Sequence, residues 1–189
     1  MSMVPLTYYG VHSVGPENFL CALLHWEERG RIVPVWIPPI EGARLAARDA
    51  MWESDRPDTY DLMVSIIEQS TQGVKAIEIS SYYHGTFVAT LEMEDGEEID
   101  ARLSDALVLS TILDLPIEAD ETVLSQASIW ISGEDARDQF GIDLPVAKED
   151  DSASASGDAQ ADADFESLMR SLGVDEADIS GESNDNDET

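Results

Sequence analysis

Apolar residues recur with the periods of strands and helices as far as Ile131, and there the pattern stops. From Lys148 to Thr189 the chain consists mostly of Asp, Glu, Ser, Ala and Gly, with 14 acidic and 2 basic residues. Such a segment buries too little apolar surface to offset its ordering entropy, and like charges keep it extended. The core must therefore come from residues 1–132, the length of one domain. Residues 133–147 read as a transitional stretch, and 148–189 as a disordered acidic tail. One island interrupts that tail. Phe165, Leu168, Met169 and Leu172 fall at helical spacing behind Asp162 and Asp164, with Gly173 as a stop. The segment 164–172 reads as a transient solvated helix, or as a docking motif for a protein partner.

Within the domain the elements follow a repeated order. Residues 4–14, 19–26 and 31–37 read as strands, separated by turn signals at Gly15-Pro16 and Arg29-Gly30. A first helix is expected from Pro38-Pro39 to about Trp52, burying Ile40, Ala43, Ala47 and Met51. A second is expected to start at Asp58 behind Pro57 and to bury Leu62, Met63, Ile66 and Ile67. Residues 75–82, 86–93 and 97–102 then read as three more strands, joined by two-residue turns at His84-Gly85 and Asp95-Gly96. Ser104 is expected to cap a helix to about Leu113, and residues 121–126 to form a short last helix. The fold class is α+β, a single domain with a duplicated βββαα order of elements.

Charge sets the second boundary. Residues 1–147 hold 26 acidic and 8 basic residues, a net of −18 within the chain's −30. Affinity for nucleic acid comes mainly from Lys and Arg on phosphates, so tight electrostatic binding of a long duplex is not expected. Cys21 is the sole cysteine, which leaves no internal disulfide and argues against a cysteine-built zinc site. His12, His25 and His84 lack metal-ligand spacing, and there is no phosphate-binding glycine loop or Gly-x-Ser-x-Gly elbow. No apolar run approaches the ~18 residues of a membrane span, and residues 1–13 lack the pattern of a signal peptide. The expected location is cytoplasmic.

Several short segments carry a resemblance. They are Val35-Trp36-Ile37 leading into Glu41; Arg56-Pro57-Asp58-Thr59-Tyr60-Asp61-Leu62; Gly85-Thr86-Phe87; Leu115-Pro116-Ile117; and above all Ile99-Asp100-Ala101-Arg102-Leu103-Ser104-Asp105-Ala106. Their order resembles the bifunctional nuclease domain across most of residues 4–127. The resemblance implies an α+β fold, homo-oligomers, and cleavage of DNA and RNA, with nucleic acid as a weakly held substrate. Three departures stand out. Pro38-Pro39-Ile40-Glu41 replaces the usual Gly-Pro-Phe-Glu, Thr59-Tyr60-Asp61 replaces Thr-His-Asp, and Leu103 replaces a proline. Tyrosine, with a pKa near ~10, is a poor general base or metal ligand near neutral pH.

A nuclease must activate water and neutralise charge on the departing oxygen, and carboxylates holding Mg²⁺ or Mn²⁺ are the usual means. Glu41, Asp61, Asp100 and Asp105 are the candidates, with Glu41, Asp61 and Asp105 as metal ligands and Asp100, Arg102 and Asp105 as the catalytic group. Arg44, Arg48 and Ser104 are candidate substrate contacts. Each has a structural counter-reading. Glu41, Asp61 and Asp105 fall in first helical turns, where acids cap free amides and meet the macrodipole. Asp100 and Arg102, two apart on a strand, are expected to share a face, as a surface ion pair or as a metal ligand beside a phosphate clamp. Arg44 and Arg48 are expected on a solvated helical face with Glu41 one turn away. The rival to an enzyme is a non-catalytic interaction or regulatory module of the same fold.

Overall fold

A computed structural model describes residues 2–52 and 55–144, so the tail reading, including the island at 164–172, lies outside the described residues. The chain opens with β1 (Met3–Val14), β2 (Phe19–Trp26) and β3 (Arg31–Ile37), an antiparallel meander. After α1 (Pro39–Asp49) and α2 (Thr59–Ser70) comes a second antiparallel meander, β4 (Val74–Tyr83), β5 (Thr86–Met93) and β6 (Glu98–Arg102). It leads directly into α3 (Leu103–Leu113). Then follow β7 (Ile117–Asp120), α4 (Glu121–Ala127), β8 (Ile129–Trp130) and α5 (Gly133–Phe140). The strands form one mixed sheet in the order β6-β5-β4-β7-β1-β2-β3-β8. β7 joins the two meanders, running parallel to β4 and antiparallel to β1.

The fold class is α+β, as the apolar periodicity indicates, yet the repeat of elements is incomplete. The second half carries β7 between its two helices, a four-residue strand too short to leave a periodic signal. Asp95-Gly96 closes no two-residue turn; the β5–β6 loop is Glu94 to Glu97, held by Gly96 N–H on the Met93 carbonyl at 3.0 Å. His84-Gly85 does form the expected turn, with both residues at positive φ, 48° and 82°. The transitional stretch contains α5, whose N-cap Ser132 accepts from Asp135 N–H and whose C-cap Gly141 lies in the left-handed region. Phe140, Ile142 and Leu144 pack over Cys21, Leu23 and Ile32, forming a second, smaller core on the outer face of β1–β3.

Both long helices before β4 present different faces from those expected. α1 buries Gly42 and Leu45, while Ile40 and Met51 are 67% and 87% exposed. The cause is a close approach. A Cβ at Gly42 would sit 2.5 Å from Leu20 Cδ1 and 3.0 Å from Leu20 Cβ, so only glycine lets the helix lie this near β2. α1 ends at Asp49 rather than near Trp52, because Met51 takes a left-handed φ of 53° and Trp52 N–H turns back to the Ala47 carbonyl at 2.9 Å; the Asp49 carboxylate also accepts from Tyr8 Oη at 2.8 Å and from Val11 N–H at 3.1 Å, at the β1 bulge. α2 buries Tyr60 and Val64 and leaves Leu62, Met63 and Ile66 exposed, because its main neighbour is α3 alone. Ser104 is not the cap of α3. Arg102 holds that position, and Ser104 lies half-buried in the first turn.

α3 explains this layering. Leu103, Ala106, Leu107, Val108, Leu109 and Ser110 are all buried, so the helix is apolar around most of its circumference. It packs against β4 and β5 on one side and α1 and α2 on the other.

The contact at Gly42 yields the first prediction. Gly42→Ala is expected to cost about 1–3 kcal/mol in denaturant unfolding, because Leu20 Cβ, close to the backbone, cannot swing aside. A second change, Leu20→Ala, should recover part of the Gly42→Ala loss. An unchanged midpoint for Gly42→Ala would show that α1 is not set by this contact.

Candidate active site

The first turns of α1, α2 and α3 contribute to one polar cluster. Glu41 and Arg44 come from α1, Tyr60 from α2, and Arg102 and Asp105 from the β6–α3 junction. Arg102 leaves the strand as the N-cap of α3, which carries its guanidinium forward to a carboxylate three residues on. Its Nε donates to Asp105 Oδ2 at 2.7 Å and its Nη2 to Asp105 Oδ1 at 3.1 Å, a two-pronged pair. Nη1 donates to Glu41 Oε1 at 3.3 Å. Tyr60 Oη donates to Asp105 Oδ1 at 2.7 Å, and Arg44 lies over the Tyr60 ring, 5.9 Å from its centroid.

The proton states follow from these contacts. Burial works to raise the Asp105 pKa, but the hydrogen bonds from Arg102 and Tyr60 and the charges of Arg102 and Arg44 outweigh it, leaving the carboxyl below its ordinary value. Tyr60 is pushed the other way, first by burial and then by its bond to Asp105, with Arg44 partly opposing. At neutral pH the site therefore holds a carboxylate at Asp105 and a protonated phenol at Tyr60. The Arg102 side chain remains 65% exposed, while that of Glu41 is 17% exposed. The guanidinium thus stands at the mouth of the site with its carboxylates behind it.

The candidate residues separate into groups. Glu41, Arg102 and Asp105 are brought together, with Arg44 beside them. Asp61 and Arg48 form a neighbouring structural pair: Arg48 Nη2 contacts Asp61 Oδ1 at 2.8 Å and Asp58 Oδ2 at 2.9 Å. Asp58 and Asp61 complete a capping box at the start of α2, so the capping reading describes their contacts. Asp100 stands opposite Thr90 on the sheet, and among the described residues it makes no ion pair with Arg102. The strand pattern did not reveal that Arg102 turns away from Asp100 where the chain enters α3. Tyr60 is the residue that sequence reasoning undervalued. Weighed as a failed base, it acts as a hydrogen-bond donor, and its place four residues before the next apolar core position, Val64, is consistent with a buried ring.

A divalent ion was the expected cofactor. Among the described residues, no three His, Cys, Asp or Glu side chains converge to hold one. Glu41 and Asp105 are two carboxylates facing one cation, which matches the share that a protein commonly gives Mg²⁺ when water and substrate phosphate complete the shell. They do not make an all-protein cage.

The fold and site together define a mixed-sheet α+β domain with an arginine-bridged carboxylate pair at the entrances of three helices. Residues 22–132 match the model of the bifunctional nuclease domain. The chain belongs to that family. Two proteins of Mycobacterium tuberculosis, from strains CDC 1551 and H37Rv and both described as uncharacterized, are each 31% identical to it over 125 residues, covering 66% of this chain and 76% of theirs. No helix among the described residues is long and apolar enough to cross a membrane.

The lowered Asp105 pKa gives a signed expectation. A carboxyl whose folded pKa lies below its unfolded value near ~3.9 contributes stability above that pH, and the contribution is lost as pH falls through the folded pKa. Tyr60→Phe removes one of the bonds holding it down. In a titration followed by carboxyl-carbon NMR, Asp105 should therefore titrate at a higher pH in Tyr60→Phe than in the parent protein. Identical titrations would show that the phenol does not act on Asp105.

Proposed function

We propose that this protein hydrolyses phosphodiester bonds in DNA or RNA, with the Glu41–Arg102–Asp105 cluster as its active site. Family membership supports the class of reaction, and the observation that carries the site is the exposed guanidinium of Arg102 bridging two carboxylates beside Arg44. Arg102 and Arg44 supply planar donors for the non-bridging phosphate oxygens. As Arg102 engages phosphate, Glu41 loses a partner and its carboxylate would be free to hold a divalent ion, with the proton of the attacking water passing to bulk solvent. Tyr60 keeps Asp105 oriented throughout, since its bond does not depend on Arg102. Mg²⁺ or Mn²⁺ held by Glu41 and Asp105 would supply an activated water and charge neutralisation at the departing oxygen.

A second observation favours an assembly role beside catalysis. Leu62, Met63 and Ile66 form an exposed apolar stripe on α2, the kind of surface that proteins tend to cover with a partner. We read it as a contact between copies of this chain, the homo-oligomer that the family resemblance implies. An interaction module without catalysis is the outcome if cleavage is absent while this assembly persists.

The test is cleavage by the purified full chain with Mg²⁺, with Mn²⁺ and with chelator. Arg102→Ala and Asp105→Asn are each expected to reduce metal-stimulated cleavage by about 10²-fold or more, the usual loss when a transition-state charge partner is removed. Circular dichroism should show both variants folded. Full activity in both would place the chemistry elsewhere. Sedimentation of Leu62→Asp/Ile66→Asp should show smaller particles than the parent, and an unchanged mass would remove α2 from the interface.

A further inference from the structure

We infer that residues 132–144 form a proton-gated strap: protonation of His25 beneath it lifts the strap and bares the outer face of β1–β3. The ground is a histidine enclosed where neither ring nitrogen is used. On β2, Cys21, Leu23 and His25 alternate onto the same face, the one that carries the smaller core. His25 is 1% exposed, and among the described residues neither Nδ1 nor Nε2 has a hydrogen-bond partner. Buried polar side chains are nearly always paired, so an imidazole enclosed in this way is a weak point in the packing that a proton can exploit.

The strap joins the two ends of this face. It begins beside His25: Ile129 is the register partner of Ile32, Ile32 is that of His25, and Ile131 packs into the same small core. It ends over Cys21. His12 is the register partner of Cys21, and the Phe140 ring stands edge-on to His12 at 5.8 Å, with Ile142 and Leu144 following. Between the two ends, Ala136 is fully buried. Among the described residues the polar side-chain bonds of the strap, Ser132 to Asp135 and Arg137 to Asp143, are internal to it. Apolar contact therefore holds it to the sheet, and it can lift as a unit without breaking a polar side-chain bond of its own.

The groups facing His25 serve a neutral ring better than a charged one. From β1 come Thr7, whose hydroxyl donates to Glu27 at 2.7 Å, and the Tyr9 ring, perpendicular to the imidazole at 5.5 Å. From β3 comes Ile32, and Arg31 beside it is bound to Ser128. On β2 itself the nearest residues of that face are Leu23 and Cys21. In the strap Ala136 is buried, while Glu134, Asp135, Arg137, Asp138 and Asp143 are exposed. Glu27, also exposed, raises the His25 pKa, but burial outweighs it and leaves the ring below its ordinary value. Under the closed strap the ring is therefore neutral; once the strap lifts, it meets water and takes a proton at about pH 6.5. The open form binds more protons, so its population rises as pH falls below that value, until the closed-state pKa is reached.

Cys21 reports the opening, because it is the sole thiol of the chain, is fully buried, and has its pKa pushed up by burial to about 11. The experiment measures the reaction of the full chain with dithiodipyridine from about pH 7.5 to about pH 5, each rate divided by that of a small reference thiol at the same pH. The ratio is expected to rise by about fivefold or more as pH falls. In His25→Leu the rise should vanish, and in His12→Gln it should persist. Amide hydrogen exchange gives a second readout that needs no variant. Ala136 and Gly141, whose N–H groups bond to the Ser132 and Arg137 carbonyls, should lose protection over the same range while Val108 and Leu109 in α3 keep theirs. A ratio that does not change with pH, a rise that survives His25→Leu, or loss of protection in the strap and α3 together would each overturn the inference.

Discussion

The burial of α3 on both sides is the constraint from which the rest of the architecture follows. A helix with Leu103, Ala106, Leu107, Val108 and Leu109 all inaccessible must have the sheet beneath it and other helices above. Each fully buried Leu or Val side chain contributes about 1.5–3 kcal/mol, so no arrangement leaving one side of α3 in water competes. α1 and α2 supply that cover, and in doing so they bring their first turns to the N-terminus of α3. The polar cluster is thus a by-product of core packing. Glu41 and Tyr60 are in place because α1 and α2 must cover α3, and Arg102 because β6 passes into α3 without a loop.

The same geometry explains why the cluster is polar. Helix N-termini leave unpaired amides and a positive potential, which favours acids in first turns. Glu41, Asp61 and Asp105 meet that demand on three helices. Two of the three carboxylates, Glu41 and Asp105, then share one arginine, whereas Asp61 is taken up by Arg48 and by the Asp58 amide. Capping and arginine bridging are therefore separate uses of the same kind of residue, and position alone separates them. Asp61 is tied to its own helix start and to an arginine that is only 17% exposed, while Asp105 pairs with an arginine that is 65% exposed.

Much of this was legible in the sequence where the signal is periodic. The two meanders, the acidic balance and the boundaries of β2 and β3 follow from alternation and turn residues. The faces of α1 and α2 did not, because apolar moment points to Ile40 and Met51, while the packing is decided by the absence of a side chain at Gly42 and by the Asp49 anchor on Tyr8. β7 and β8 escaped because strands of four and two residues carry no period. At the site, Glu41, Arg102 and Asp105 were nameable from resemblance and residue type. Their union across 61 positions of sequence, and the role of Tyr60 as donor, needed the tertiary structure.

In the proposed reaction Arg102 is the movable part of this cluster, paired with Glu41 and Asp105 in the structure and turned to phosphate when substrate binds. Nitrogen-15 NMR of the Arg102 side chain reads this directly, since its Nε–H is bonded to Asp105. Titration with a non-hydrolysable dinucleoside phosphorothioate should shift the Arg102 Nε–H resonance in a saturable way, with smaller changes at Arg44 and none at Arg31, which is bound to Ser128. A saturable response at other residues with Arg102 unmoved would contradict the account.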